Sequence, residues 1–225
     1  MPVVVEVWSE LHCPWAATVV HRLRVARDRL GLDVVFDPRP WPLELVNRRG
    51  TPQHIVAVET ALLANVEPEL FSRFAYWADK PGRAAWPSTF LPAFELVAAA
   101  RRVGGAAAAE AVDAAVRHHF FAEGRDVSIR PELADCLSRA DRADVDAAAI
   151  LACWDRDNVR ADVLADFARS QELEIQGSPQ ILWPDGSSSH NPGIVGLRWE
   201  RGLPRFDRDD PGAVERLLVE KAGSA

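Results

Sequence analysis

The chain has 225 residues, 48% of them hydrophobic and 26% charged, which excludes collagen-like, wholly disordered and disulfide-scaffold proteins. Its net charge of −7 argues against a nucleic-acid partner, because phosphate binding requires a positive face. No run of about 18 uncharged apolar residues occurs, so no membrane span is predicted. The N-terminal sequence has no basic segment leading into a long apolar one, which predicts a cytoplasmic protein.

The first 36 residues predict a β-α-β unit. The β-branched and aromatic segment Val3–Trp8 indicates a buried strand. The apolar positions of Cys13–Leu30 follow helical spacing; Pro14 suits the first turn and Gly31 ends the helix. A second strand is predicted at Leu32–Phe36. Such a unit implies two parallel strands joined by a right-handed crossover.

The middle of the chain, from residue 43 to 169, shows little strand character and predicts a helical block. Asp144 is a good N-cap for one of its helices. The predicted helices span residues 53–65, 67–77, 87–103, 106–123, 130–139, 144–155 and 159–171.

Strand character returns near the C-terminus. Strands are predicted at Pro179–Trp183 and Ile194–Glu200, a turn or mobile loop at Gly186–Ser189, and a last helix at Pro211–Ala222, capped by Asp210. One α/β core with a helical insertion accounts for this order. Residues 1–42 and 170–225 are therefore assigned to the sheet domain, and residues 43–169 to the insertion.

Cys13 lies where the first strand gives way to the first helix. Backbone N–H groups at a helix N-terminus stabilise a thiolate, so Cys13 is either a reactive thiol or a small buried apolar residue. His12 either stabilises that thiolate as an imidazolium or is a solvated loop residue. Cys136 and Cys153 lie in predicted helices and suit core packing. We predict three free thiols and no metal site, since the cysteine spacings match no zinc pattern.

The segment Trp8–Ala16, reading WSELHCPWA, resembles the active-site segment of DsbA-family proteins, most closely the cytosolic FrnE-like branch. That branch reads tryptophan-serine-aspartate, two residues, then cysteine-proline-aromatic-cysteine. Similar segments follow in the family's order, at Trp86–Thr89, Ala93–Leu96, His119–Asp126 and Gly177–Pro179. The resemblance implies a thioredoxin-like fold with a large all-helical insertion, related to 2-hydroxychromene-2-carboxylate isomerase and kappa-class glutathione transferase.

Three positions depart from the family pattern. Ala16 replaces the second cysteine, Glu10 replaces aspartate, and Ser178 replaces the hydrophobic residue before the family's cis-proline. Trp15 stands between the two cysteine positions, where it either shields the sulfur or contacts substrate. The resemblance assigns the nucleophile to Cys13 and thiol or substrate binding to Glu10, His12, Pro14, Trp15, Ala16, Ser178 and Pro179.

The resemblance implies an enzyme, a thiol–disulfide oxidoreductase with a single thiol at Cys13. A low-molecular-weight thiol would act as co-substrate and resolve the mixed disulfide, and no tightly bound cofactor is expected. A thiol-conjugating transferase or isomerase and a non-catalytic binding protein remain alternatives. The expected partners are a small thiol or a protein disulfide, without nucleic acid or membrane, and a homodimer is left open.

Two expectations concern the geometry of this site. The Ser178–Pro179 peptide bond should be cis and lie beside Cys13, because a cis bond before proline costs only about 0.5–1 kcal/mol. The pKa of Cys13 should fall below the ordinary value of about 8.5, because it lies at a helix N-terminus.

Overall fold

A computed structural model of the chain describes residues 2–71, 74, 86–140 and 145–222. The first β-α-β unit consists of β1 (Val3–Ser9), α1 (Pro14–Leu30) and β2 (Val34–Pro40). β1 and β2 pair in parallel, as predicted. Gly31 ends α1 with φ of 64°, and its N–H bonds the carbonyls of the last helical turn. This arrangement places the N-terminus of α1 at the C-terminal end of β1.

The sheet has four strands in the order β2-β1-β3-β4, with β3 (Gln180–Leu182) and β4 (Ser188–His190) antiparallel. The predicted turn or mobile loop at Gly186–Ser189 is a turn as far as Ser187, but the prediction is wrong for Ser188 and Ser189, which belong to β4. Asp185 accepts hydrogen bonds from both the backbone N–H and the hydroxyl of Ser187, which closes a turn and brings β4 back against β3.

The predicted strand Ile194–Glu200 is not part of this sheet. Gly196, with φ of 71°, breaks it into two short segments. These belong to two separate antiparallel pairs, β5 (Ile194–Val195) with β8 (Arg208–Asp209) and β6 (Arg198–Glu200) with β7 (Leu203–Arg205).

The helices of the insertion largely follow the predicted positions. The predicted helices 87–103 and 106–123 form one helix kinked at Gly104 and Gly105, and Asp146 caps the helix assigned to Asp144, which lies outside the described residues. Of the predicted helix 67–77, residues 67–71 are not helical and most of the rest lies outside the described residues. The helices are α2 (Leu43–Val46), α3 (Gln53–Leu63), α4 (Leu91–Phe121), α5 (Arg130–Ser138), α6 (Ala147–Arg156), α7 (Val159–Glu172) and, after the sheet, α8 (Gly212–Ala222).

Helix α1 contributes to two hydrophobic cores. Its residues Val19 and Leu23 pack with the strands and α8, whereas Trp15 and Ala16 pack with the aromatic core of the insertion. The beginning of α1, including Cys13, therefore lies at the junction of sheet and insertion. None of the helices in the described part of the chain combines the length and apolar character that crossing a bilayer requires.

Candidate active site

Cys13 is the N-cap residue of α1, with Pro14 at the first helical position. The Ser178–Pro179 bond is cis, as predicted, and the Cys13 Sγ donates a hydrogen bond of 3.4 Å to the Ser178 carbonyl. The Ser178 hydroxyl accepts a 2.8 Å hydrogen bond from the backbone N–H of Glu10. Two hydrogen bonds, one from Glu10 and one from Cys13, thus join the loop before α1 to the cis-proline segment.

The expectation of a lowered pKa for Cys13 is wrong. Burial is the largest influence and, with the nearby Glu59 carboxylate, raises the pKa of Cys13 to about 12. The backbone N–H of Ala16, the hydrogen bond to Ser178 and the charge of Arg117 oppose this rise but do not outweigh it. The helix terminus acts as expected, but the side chain is only 7% exposed, and a thiolate there loses most of its hydration. Cys13 is therefore a thiol at neutral pH.

A cavity of about 280 Å³ opens beside Cys13, between the start of α1 and the insertion. Ile55 and Val56 of α3 give its wall an apolar part, Glu59 of the same helix adds a carboxyl group, and Asn47 and Arg49 are exposed at its mouth. The lining residues are His12, Cys13, Leu43, Asn47, Arg49, Gly50, Thr51, Pro52, Ile55, Val56 and Glu59.

His12 is a buried residue of this wall, which excludes the solvated-loop interpretation. Its Nδ1 lies 2.8 Å from Glu10 Oε1, at ion-pair distance but without the alignment of a hydrogen bond. The ring stacks on Phe90 with centroids 3.9 Å apart. Among the described residues, Nε2 has no hydrogen-bond partner. His12 thus offers one unused ring nitrogen beside the cavity.

Glu10 does not line the cavity. Its fully buried carboxylate accepts hydrogen bonds from the backbone N–H groups of His12, at 3.3 Å, and of Leu43, at 2.7 Å. Glu10 therefore fixes the loop before α1 against α2. It has this positioning role whether or not it also contributes to thiol binding.

Trp15 contacts the insertion. Its indole N–H donates a 2.8 Å hydrogen bond to Glu59 Oε1, and its ring packs in the insertion core. Pro14 and Ala16 are also buried, and Ala16 is 0% exposed where the family pattern has its second cysteine. No thiol from the motif is available to resolve a mixed disulfide on Cys13.

Two residues that the sequence analysis did not single out belong to the site. Burial raises the pKa of Glu59 to about 7, against the lowering effects of the Trp15 hydrogen bond and of His12. Arg117, buried in α4, donates hydrogen bonds to Ser9 Oγ, Glu10 O and Leu11 O at 2.8, 3.0 and 3.1 Å. The only sequence signal for Glu59 was that it is the single carboxylate of α3.

The other cysteines are separate from this site. Cys136 and Cys153 are buried on α5 and α6, and all three cysteines are free, as predicted. Burial raises the pKa of Cys136 to about 12. Both side chains pack in the insertion core.

A family profile described as a DSBA-like thioredoxin domain matches residues 4–198. The chain belongs to the DsbA-like thioredoxin family. The predicted fold class, thioredoxin-like with a helical insertion, is confirmed. A sequence comparison with curated proteins finds no significant match.

Solved structures with the same fold support this assignment of the DsbA-like chain. The cytosolic disulfide reductase DsbM from Pseudomonas aeruginosa is 17% identical, with a TM-score of 0.61 over 99% of this chain and 100% of that one; another structure of it, with GSH, gives 0.60 at 16% identity over 97% and 98%. A probable DsbA oxidoreductase from Streptomyces coelicolor is 18% identical, with a TM-score of 0.58 over 99% and 91%. A 2-hydroxychromene-2-carboxylate isomerase is 14% identical, with a TM-score of 0.54 over 83% and 87%. At these identities the likeness concerns the fold alone.

Proposed function

We propose that this DsbA-like protein is a cytoplasmic, FrnE-like thiol–disulfide oxidoreductase that uses Cys13 as its single thiol and a small thiol as co-substrate. The observation that carries the proposal is the position of the Cys13 Sγ, 3.4 Å from the carbonyl before the cis-proline and on the wall of a small cavity. Ala16 leaves resolution of the mixed disulfide to a second molecule.

The exchange proceeds in two steps. The Cys13 sulfur attacks one sulfur of a bound disulfide, forming a mixed disulfide, while the other sulfur leaves as a thiolate and takes up the proton that Cys13 loses. A second small thiol then attacks the mixed disulfide, restoring the Cys13 thiol and releasing a new disulfide. The protein's single thiol thereby transfers a thiol group between partners.

The cavity supports a small anionic thiol as the partner. A volume of about 280 Å³ suits a peptide-sized molecule rather than a folded protein surface. Arg49 at its mouth has no ion-pair partner among the described residues, so its guanidinium is free to bind a carboxylate. The GSH recorded with DsbM, a protein of the same fold, makes glutathione the first candidate.

The mixed disulfide should be detected directly. Incubating the native protein with oxidised glutathione should add one glutathionyl group, mapped to Cys13, because Cys13 lines the cavity whereas Cys136 and Cys153 do not. Intact-mass analysis followed by peptide mapping measures this. Cys13→Ser should remain unmodified, and a wild-type adduct confined to Cys136 or Cys153 would refute the proposal.

Arg49→Ala should raise the concentration of oxidised glutathione needed for half-maximal modification about fivefold, because a partly solvated guanidinium–carboxylate pair contributes about 1 kcal/mol. Arg48→Ala is the matched control, since that neighbouring arginine is exposed but does not line the cavity. Modification by bis(2-hydroxyethyl) disulfide, which has no carboxylate, should be unaffected in both variants. Equal effects of the two substitutions would remove Arg49 from the binding site.

One observation favours a thiol-conjugating transferase or isomerase as a second candidate. A pKa of about 12 keeps Cys13 protonated, which suits a group that donates a hydrogen bond to a bound thiol better than one that attacks a disulfide. This function predicts tight, reversible binding of reduced glutathione, measurable by calorimetry, with no covalent adduct. If the protein neither binds reduced glutathione nor forms an adduct, it is a non-catalytic member of the family.

A further inference from the structure

Glu59 brings a carboxyl group from the insertion to the cavity that Cys13 lines. It lies on α3, which packs against α1, and its Oε1 is held by the Trp15 indole at 2.8 Å. Trp15 lies two residues after Cys13, so this hydrogen bond fixes the position of the Glu59 carboxyl group relative to the start of α1. Glu59 also acts electrostatically on Cys13 and is itself influenced by His12.

We propose that Glu59 accepts the thiol proton of Cys13 during disulfide exchange and returns it to the leaving sulfur. This inference rests on the proposed thiol–disulfide exchange and assigns the proton acceptor of that reaction. The insertion then supplies a reacting group as well as a binding wall.

The charged and titratable groups around Glu59 are few among the described residues. Cys13 and His12 face it from the beginning of α1, and Arg49 lies on the same cavity. Arg205 of β7 and His54 of α3 are exposed and do not line the cavity. His12 is the rival proton acceptor, but its Nδ1 side faces Glu10 and its ring is stacked on Phe90.

The Glu59 carboxylate takes the proton from the Cys13 thiol as the sulfur attacks a disulfide RSSR. The new bond joins Cys13 to one SR group and the S–S bond breaks, so the Cys13 sulfur is oxidised and the departing sulfur is reduced. The departing thiolate takes the proton from Glu59 and leaves as RSH. Protonating Glu59 also removes the negative charge that opposes a Cys13 thiolate.

The Glu59→Gln substitution separates this role from a purely electrostatic one, because the two predict opposite signs. If Glu59 accepts the proton, modification of Cys13 by bis(2-hydroxyethyl) disulfide at pH 8 should slow at least about tenfold. If Glu59 only repels the thiolate, removing its charge should accelerate the reaction. The reagent does not titrate in this range, so the pH profile belongs to the protein.

The wild-type rate should rise as pH increases through about 7, where the Glu59 carboxyl loses its proton. Glu59→Gln should abolish this inflection, whereas the exposed Glu69→Gln control should retain both rate and profile. Trp15→Phe removes the hydrogen bond that lowers the pKa of Glu59 and should move the inflection upward by about one pH unit. It keeps the carboxyl group and so tests the assignment independently if Glu59→Gln fails to fold.

The remaining outcomes overturn the inference in distinguishable ways. An unchanged or faster reaction in Glu59→Gln refutes the proton-transfer role while leaving the thiol-exchange proposal intact. An inflection that persists in Glu59→Gln but disappears in His12→Gln identifies His12 as the proton acceptor and also refutes the role of Glu59. A native wild-type Cys13 that does not react at any pH refutes both the exchange function and the role of Glu59.

Discussion

Replacing Ala16 by cysteine should create a disulfide with Cys13 and give the protein dithiol oxidase or reductase activity where the wild type has little. The two positions are the N-cap and third residue of α1, and residues three apart on a helix bring their Cβ atoms to about 5–6 Å, within reach of a small adjustment to bonding geometry. The Ala16 backbone N–H already acts on the Cys13 sulfur and lowers its pKa against the effect of burial. After mild oxidation, the variant should hold one disulfide and two free thiols, since wild type has three.

The double variant Cys13→Ser with Ala16→Cys is the matched control, because it keeps the new thiol without its partner. Thiol titration of the denatured protein and insulin reduction measure the two effects. If Ala16→Cys forms no disulfide between residues 13 and 16, the site has diverged from dithiol geometry. The conjugating and binding interpretations would then gain support.

Arg117→Ala should lower the free energy of unfolding by about 3 kcal/mol, because removing one member of a buried ion pair leaves its partner uncompensated. Arg117 pairs with Asp113 in α4 at 3.0 Å, and both side chains are almost fully buried. The substitution also leaves the carbonyls of Glu10 and Leu11 without this donor. Denaturant unfolding at constant m-value measures the loss. Because Arg24 still contacts Asp113, the loss of unfolding free energy should lie near the low end of the range of about 3–5 kcal/mol for breaking a buried ion pair.

The pH dependence of this loss has a definite sign. Burial would raise the pKa of Asp113, but Arg117 and Arg24 outweigh burial and hold the pKa below its usual value. A carboxyl group with a lowered folded-state pKa stabilises the protein above its unfolded pKa of about 3.9 and loses that contribution as pH falls further. The difference between wild type and Arg117→Ala should therefore be full at pH 7 and shrink below about pH 4.

Arg102→Ala is the control on the same helix. Arg102 also pairs with an aspartate, Asp162, but both side chains are more than a third exposed, so its loss should be much smaller. Arg117→Ala should further accelerate modification of Cys13, because the loop before α1 loses its anchor and exposes the sulfur. Burial is the largest influence on the pKa of Cys13 and the charge of Arg117 only a minor one, so greater exposure should outweigh the loss of that charge. Equal stability losses in the two variants, or an unchanged Cys13 rate, would contradict a positioning role for Arg117.

Sequence alone determined the features that depend on neighbouring residues. The apolar run of β1, the proline at the first position of α1 and Gly31 at its end specify the β-α-β unit locally. The segments around Cys13 and Pro179 carried the family resemblance, because each motif is contiguous, and the resemblance implied a cis-proline beside the cysteine. The missing second cysteine could likewise be seen directly at Ala16.

Only the tertiary structure decided the chemistry of the thiol. The pKa of Cys13 depends on how much water the folded chain removes from its sulfur and on Glu59, which lies 46 residues away in the sequence. Arg117 reaches the same loop from more than a hundred residues away. Helical and strand periodicity specify which face of an element is buried, but they do not specify which polar group on another element meets it. The cavity, its carboxyl group and the anchored loop therefore emerged only when the sheet and the insertion packed together.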